Sequence, residues 1–179
     1  MFLMDKTGEL KDLSSNYYYN MFQGCSSLTK APALPATTLA YGCYSSMFED
    51  CTSLTQAPVL PAETLPSNCY DHMFYNCTSL TQAPALPATT LGDMCYSFMF
   101  YNCTSLTQAP VLPAETIIEA CYECMFYGCT SLTNAYFPNL DSDTVINEVV
   151  EGQVTFYDAA DNIETQCSDK TIIINSTSV

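Results

Sequence analysis

A nine-residue string, Met47-Phe48-Glu49-Asp50-Cys51-Thr52-Ser53-Leu54-Thr55, returns with small changes from Met21, Met73, Met99 and Met125, so that successive copies stand 26 residues apart. Self-similarity at one fixed period constrains the fold more than any other feature. Equal repeats stack into a solenoid in which each unit touches only its neighbours. Between the copies runs Leu60-Pro61-Ala62-Glu63-Thr64-Leu65, repeated from Leu34, Leu86 and, ending in Ile117, from Leu112. A second rhythm lies on the first. Ala33 and Thr37 alternate with Val59 and Glu63, then Ala85 and Thr89, then Val111 and Glu115, which marks a duplicated pair of repeats 52 residues long.

Within one repeat, Leu65, Cys69, Met73 and Cys77 stand four apart. That stripe predicts the inner face of a helix of about three turns. Thr64, matched by Thr38, Thr90 and Thr116, suits its N-cap, and Pro66 falls in the first turn, where a missing N–H does no harm. The residue before the last cysteine is Gly24, Asp50, Asn76, Asn102 or Gly128. Each of these tolerates the left-handed backbone that ends a helix. Beyond it, Leu54, Ala57 and Val59 are expected to point inward, with Gln56 and Pro58 outward, as in a short strand. Pro32, Pro58, Pro84 and Pro110 each remove a ladder hydrogen bond. The strands must therefore be very short and run into an extended Ala-Pro-x-Leu-Pro segment, and an all-β solenoid stays open as the alternative.

The cysteines obey the same period. Cys25, Cys51, Cys77, Cys103 and Cys129 form one series, and Cys43, Cys69, Cys95 and Cys121 a second. Identical sites on stacked coils rarely meet the distance and dihedral that a disulfide needs. Both columns are therefore expected to be reduced, buried packing residues, which favours assembly in a reducing compartment.

Charge excludes some partners. Nineteen acidic residues face only Lys6, Lys11, Lys30 and Lys170, for a net charge of −15. Nucleic acid and anionic membrane surfaces both demand cationic contacts that this chain lacks. The acidity also keeps a repetitive protein in solution. The chain as given has no basic segment leading into an apolar signal region and no apolar run of about 18 residues. Direct membrane insertion is not expected, and a mature form already trimmed of its signal stays open.

Catalytic chemistry finds little support. His72, the single histidine, shares its repeat position with Ser46, Phe98 and Cys124. A position accepting such different side chains is expected to face solvent. Cys121-Tyr122-Glu123-Cys124 is formally a Cys-x-x-Cys pair with Cys129 nearby. Zinc needs four convergent ligands, whereas Cys121 and Cys129 belong to the columns, which leaves Cys124 as an exposed spare thiol. No metal and no cofactor is expected. Glu63 and Glu115 sit in alternate repeats, too far apart for an acid–base pair. The glycosylation sequons at Asn76 and Asn102 coincide with the left-handed position; a third starts at Asn175.

Two surfaces stand out as binding candidates. One is an uncharged amide column, Gln56, Gln82 and Gln108, flanked in register by Lys30 and Asn134. The other is a row of tyrosines, Tyr75, Tyr101 and Tyr127, among the positions that vary most between copies. Tyrosines offer an apolar face and a hydroxyl to a sugar or a protein partner; they serve equally well to pack on the neighbouring coil.

The string Met-Phe-x-x-Cys-Thr-Ser-Leu-Thr, followed by an apolar segment and Leu-Pro, resembles the BspA-like leucine-rich repeats of bacterial surface proteins, which also occur in gut Bacteroidetes and their phages. The resemblance covers about residues 13–140. It implies an α/β, right-handed leucine-rich-repeat solenoid, with short parallel strands on one face and short helices on the other. Residues 1–20, where Leu13 aligns with Leu39 and Tyr17-Tyr18 with Cys43-Tyr44, are read as an N-terminal cap, 21–140 as the solenoid and 141–179 as a C-terminal cap. The repeat fails after Thr133, with Tyr136 in the place of proline. The tail is expected to hold a short helix around 144–150 and strands at 154–157 and 171–175. The family implies a non-enzymatic adhesion or ligand-binding role on a bacterial cell surface or phage virion. Its partners would be a protein or glycan ligand, or neighbouring virion proteins. The alternative is a rigid spacer or oligomer contact.

Overall fold

The computed structural model describes residues 18–114, 116, 118 and 120–132, together with strand residues 134–136, 145–147, 155–157, 165–166 and 171–173. Its backbone hydrogen bonds follow a two-residue alternation. Every second N–H reaches the next coil: Phe74 N to Met99 O at 2.9 Å, Asn76 N to Tyr101 O at 2.7 Å, and Asn102 N to Tyr127 O at 2.7 Å. The residues between them bond locally, three residues back: Met73 N to Tyr70 O at 3.1 Å, Tyr75 N to His72 O at 3.0 Å, Cys77 N to Phe74 O at 3.1 Å. The segment is thus a ribbon of overlapping β-turns sewn edge to edge onto its neighbours, and most of its N–H and C=O groups are used.

Every second turn carries a left-handed third residue, as type II turns require. In successive coils these are Asn68, His72 and Asn76 (φ 61, 55 and 57°), then Met94, Phe98 and Asn102 (54, 53 and 55°), then Ala120, Cys124 and Gly128 (55, 48 and 73°). The expected left-handed position before the cysteine is therefore present, and it is the last of a series spaced by four. The helix around it is not. Among the described residues there is no α-helix, because half the N–H groups leave the coil and a left-handed residue every four positions interrupts any helix. Of the expected layers, parallel strands are present and helices are absent; the described part of the solenoid is all-β.

A period of four puts two residues in and two out. Cys69, Tyr70, Met73, Phe74 and Cys77 are all buried, and so are their equivalents in the next coil. The inner tyrosines Tyr18, Tyr44, Tyr70, Tyr96 and Tyr122 stack with centroids 5.7, 6.2, 5.9 and 5.8 Å apart. Phe22, Phe48, Phe74, Phe100 and Phe126 form a parallel stack at 5.5, 5.6, 5.6 and 5.7 Å. The cysteine columns lie inside as expected, with free thiols, except that Cys25 is exposed. In the column that ends each ribbon, the thiols from Cys51 onward tie their coil to the one before. The Sγ of Cys51, Cys77, Cys103 and Cys129 donates to the carbonyl of Phe22, Phe48, Phe74 and Phe100 at 3.1, 3.1, 3.1 and 3.0 Å.

The remainder of each coil is extended but forms little ladder. β1 (Thr64–Leu65) pairs in parallel with β2 (Thr90–Leu91), Thr64 opposite Thr90. These threonines, expected to cap helices, are strand residues. Lys30 and Gln56, and Gln82 and Gln108, meet in single parallel bridges, as the prolines dictate. The expected orientation around Pro58 is reversed: Val59 is 77% exposed while Pro58 is buried. The alternation takes its phase from Leu60 and Ala62, each 1% exposed, so that positions 58, 60 and 62 point inward.

After the last described coil, β3 (Asn134–Tyr136) pairs in parallel with β5 (Thr155–Tyr157), which also pairs antiparallel with β6 (Thr165–Gln166). β4 (Val145–Asn147) pairs antiparallel with β7 (Thr171–Ile173). Strands were expected at β5 and β7; at β4 a strand replaces the expected helix, its backbone being held by β7. The reading of residues 1–17 as part of a cap lies outside the described residues.

Candidate functional site

The outward half of the turn ribbon is a ladder of side chains, one rung per coil. Tyr75 stacks on Tyr101 at 4.7 Å and 5°, and Tyr101 on Tyr127 at 4.9 Å and 13°. The row is half-buried. Ring faces are spent on one another, and ring edges are what a ligand meets. His72 joins the patch, stacking on Phe98 at 4.7 Å and on Tyr75 at 5.3 Å, and Phe98 tilts onto Tyr101 at 5.8 Å. Beside them runs an amide ladder. Asn76 Nδ2 donates to Asp50 Oδ1 at 2.7 Å, and Asn102 Nδ2 donates to Asn76 Oδ1 at 2.7 Å.

The position of His72 is not the freely solvated one its variability suggests. His72 is half-buried, while Ser46 and Cys124, its equivalents, are 6% exposed. Cys124 is thus a buried thiol and not an exposed spare one. What the position shares is a left-handed backbone, which sets the direction of the side chain whatever its chemistry. His72 Nδ1 lies 2.7 Å from Asp71 Oδ1. Burial pulls the imidazole pKa down, but the hydrogen bond and charge of Asp71, with Glu49 nearby, outweigh it and the net shift is upward. Burial, with Tyr101, Glu49 and Asp50 beside it, also raises the Tyr75 hydroxyl.

The exposed column Gln56, Gln82 and Gln108 belongs to the extended segment of each coil and is not brought together with the tyrosine row. Its neighbours Thr55 and Thr107 donate their hydroxyls to Thr29 O and Thr81 O at 3.1 and 3.3 Å. Along the same segment an apolar groove of about 490 Å³ opens between Ala83–Pro87 and Pro110–Pro113, with Ala85 and Val111 in its lining.

Sequence reasoning placed the tyrosines on one face with the variable positions His72 and Phe98, but missed the ladder of Asn76 and Asn102 beside them. His72, Phe98, Asn76 and Asn102 recur at the same two offsets in each coil, and that shared offset is the signal that finds them.

Among the described residues, the buried thiols are held in an unreactive form. Burial pushes the thiols of Cys43, Cys51 and Cys121 up to about 11 and those of Cys69 and Cys129 up to about 12, so they stay protonated at neutral pH. Among the described residues no group of three or more His, Cys, Asp and Glu is placed to hold a metal ion. The repeat pattern described as a BspA type leucine rich repeat region matches residues 7–97 and 45–172, in six copies. No curated protein and no solved structure matches the chain.

Proposed function

The chain belongs to the BspA-type leucine-rich repeat family, and from that premise we propose that it is a non-enzymatic binding or adhesion module that recognises a protein or glycan through its outward ladder. The observation that carries this reading is the register of Tyr75, Tyr101 and Tyr127 with the Asp50, Asn76 and Asn102 ladder. Like groups recur once per coil, at the spacing of about 4.8 Å set by hydrogen-bonded strands. A ligand that is itself periodic, an extended peptide or a glycan chain, can repeat one contact along such a row. With ring faces occupied, the contacts are hydrogen bonds from hydroxyls and amides, with packing against ring edges. Gln56, Gln82 and Gln108 form a second, separate column of the same kind.

In this reading the solenoid is right-handed with 26-residue repeats, closed by caps at 1–20 and 141–179; the pairing of β5 on β3 supports the second cap. The module is displayed on a bacterial cell surface or carried on a phage particle, and the buried thiol columns favour the phage setting. It uses no cofactor, binds no nucleic acid and inserts in no membrane.

Binding to arrayed gut glycans, mucins and host-cell surface proteins tests the proposal. Tyr101→Ala, with unchanged circular dichroism, is expected to weaken the interaction at least tenfold. No binding above an unrelated acidic protein sinks it. The second reading, a rigid structural element of a virion or surface complex, is favoured by the continuous backbone ladder between coils. Proteomics of purified phage particles and of bacterial surface fractions separates the two settings.

A further inference from the structure

We propose that the proline-rich segment is a self-association surface, on which two copies of this chain pack antiparallel about a two-fold axis and seat Val59 of each over Ala85 of the other. Val59 is 77% exposed and Val111 52%, and their equivalents Ala33 and Ala85 are exposed as well. Along the solenoid the exposed residue therefore reads alanine, valine, alanine, valine. The apolar groove of about 490 Å³ opens between the coils of Ala85 and Val111, with both residues in its lining.

Alternation of this kind matches itself about a perpendicular two-fold axis between adjacent coils, and of these the central axis engages all four. A two-fold axis perpendicular to the solenoid, passing between the coils of Val59 and Ala85, exchanges position 59 with 85 and position 33 with 111. Each valine then faces an alanine of the second copy. An axis through a coil, or one parallel to the solenoid, sets valine against valine. Isologous interfaces require self-complementarity of this sort.

Charge points to the same occupant. The chain carries −15, yet residues 29–36, 55–62, 81–88 and 107–114 contain one charged residue, Lys30. Elsewhere a second copy meets like charge; here it does not. At the rim the same axis sets Glu63 opposite Thr89 of the second copy, not opposite another carboxylate.

The area is sufficient for a weak dimer. Four coils at about 4.8 Å and eight extended residues at about 3.3 Å give about 500 Å² per copy. The total of about 1,000 Å² stands at the lower edge of specific interfaces, so association is expected to depend on concentration.

Sedimentation of the full chain across a wide concentration range tests this, with circular dichroism confirming the fold of each variant. The wild type is expected to pass reversibly from monomer to dimer. Ala33→Val with Ala85→Val makes the face more apolar but sets valine on valine, and is expected to weaken dimerisation at least tenfold. Exchanging all four positions (Ala33→Val, Val59→Ala, Ala85→Val, Val111→Ala) restores the match and is expected to restore the dimer. A wild type that stays monomeric overturns the proposal, as does a tighter dimer in the double variant, since general stickiness follows apolar area and not pattern. Tyr101→Ala leaves this equilibrium unchanged, so failure here is distinguishable from failure of the ligand-binding reading.

Discussion

A residue in the left-handed region is a local commitment, and in this chain the commitment recurs every four positions with unequal quality. Gly128 at φ 73° bears no strain, whereas Ala120 at 55° and Phe98 at 53° hold side chains in a conformation that costs about 1 kcal/mol or more. Ala120→Gly is therefore expected to stabilise the fold by up to about 1 kcal/mol, less the added flexibility of the unfolded chain. Gly128→Ala is expected to destabilise it by about 1–2 kcal/mol, since its Cβ would also come within 3.2 Å of Asn102 Cα. Urea midpoints check both. His72 adds a pH dependence. Its pKa is raised above the ordinary value of 6.5 in the folded chain, so its contribution is fully present below that value and is lost as pH rises through the folded one. His72→Asn keeps a residue that tolerates the left-handed backbone and removes the charge. The stability advantage of the wild type over this variant is expected to shrink as pH rises from 6 towards 8.

At the scale of one element, the turn ribbon is held by rungs that cross to the next coil. Asn76 accepts from Asn102 and donates to Asp50, both at 2.7 Å. Asn76→Asp removes a donor and sets two carboxylates side by side, so a loss of about 2 kcal/mol is expected, part of it recovered in high salt. Asn76→Gly keeps the left-handed backbone and loses only the rung, at a cost of about 1 kcal/mol. Comparing the two by chemical denaturation at low and high salt isolates the charge effect. The thiol columns make a separate prediction. Among the described cysteines Cys25 alone is exposed, and it is expected to react with a thiol reagent at pH 8 in the native protein. The buried thiols, with pKa values of about 11 and above, are expected to wait for denaturant. Rapid native labelling of Cys69 or Cys121 runs against this account.

Across the whole molecule, each coil touches its neighbours through the same bonds, so stability is a sum over coils and interfaces. Removing residues 53–78, one full period, rejoins equivalent positions. The shortened chain is expected to keep the wild-type circular dichroism and melt at a lower temperature. Removing 53–65, half a period, sets buried positions against exposed ones and is expected to abolish cooperative unfolding. Both follow from thermal melts of the two deletions beside the full chain.

The sequence by itself determined the 26-residue period, the two cysteine columns, the buried series Leu65, Cys69, Met73 and Cys77, and the left-handed residue before each terminal cysteine. These depend on side-chain size, polarity and backbone tolerance, which are properties of the residues themselves. It left the element type open. A stripe at strict four-residue spacing drifts about 40° per step on an α-helix, or about 120° from Leu65 to Cys77, which already counts against a helix. The matching left-handed positions at 68, 72 and 76 carry Asn, His and Asn, but the same places hold Met94, Phe98, Ala120 and Cys124 elsewhere, and those residues hide the signal. Only the tertiary structure decided between helix and turn ribbon, because the destination of each backbone N–H, four residues back or across to the next coil, depends on whether a neighbouring coil is there to receive it. The phase of the extended segment was settled the same way: Leu60 and Ala62 fit the interior beside the stacked coils, and that fit buried Pro58 and turned Val59 outward.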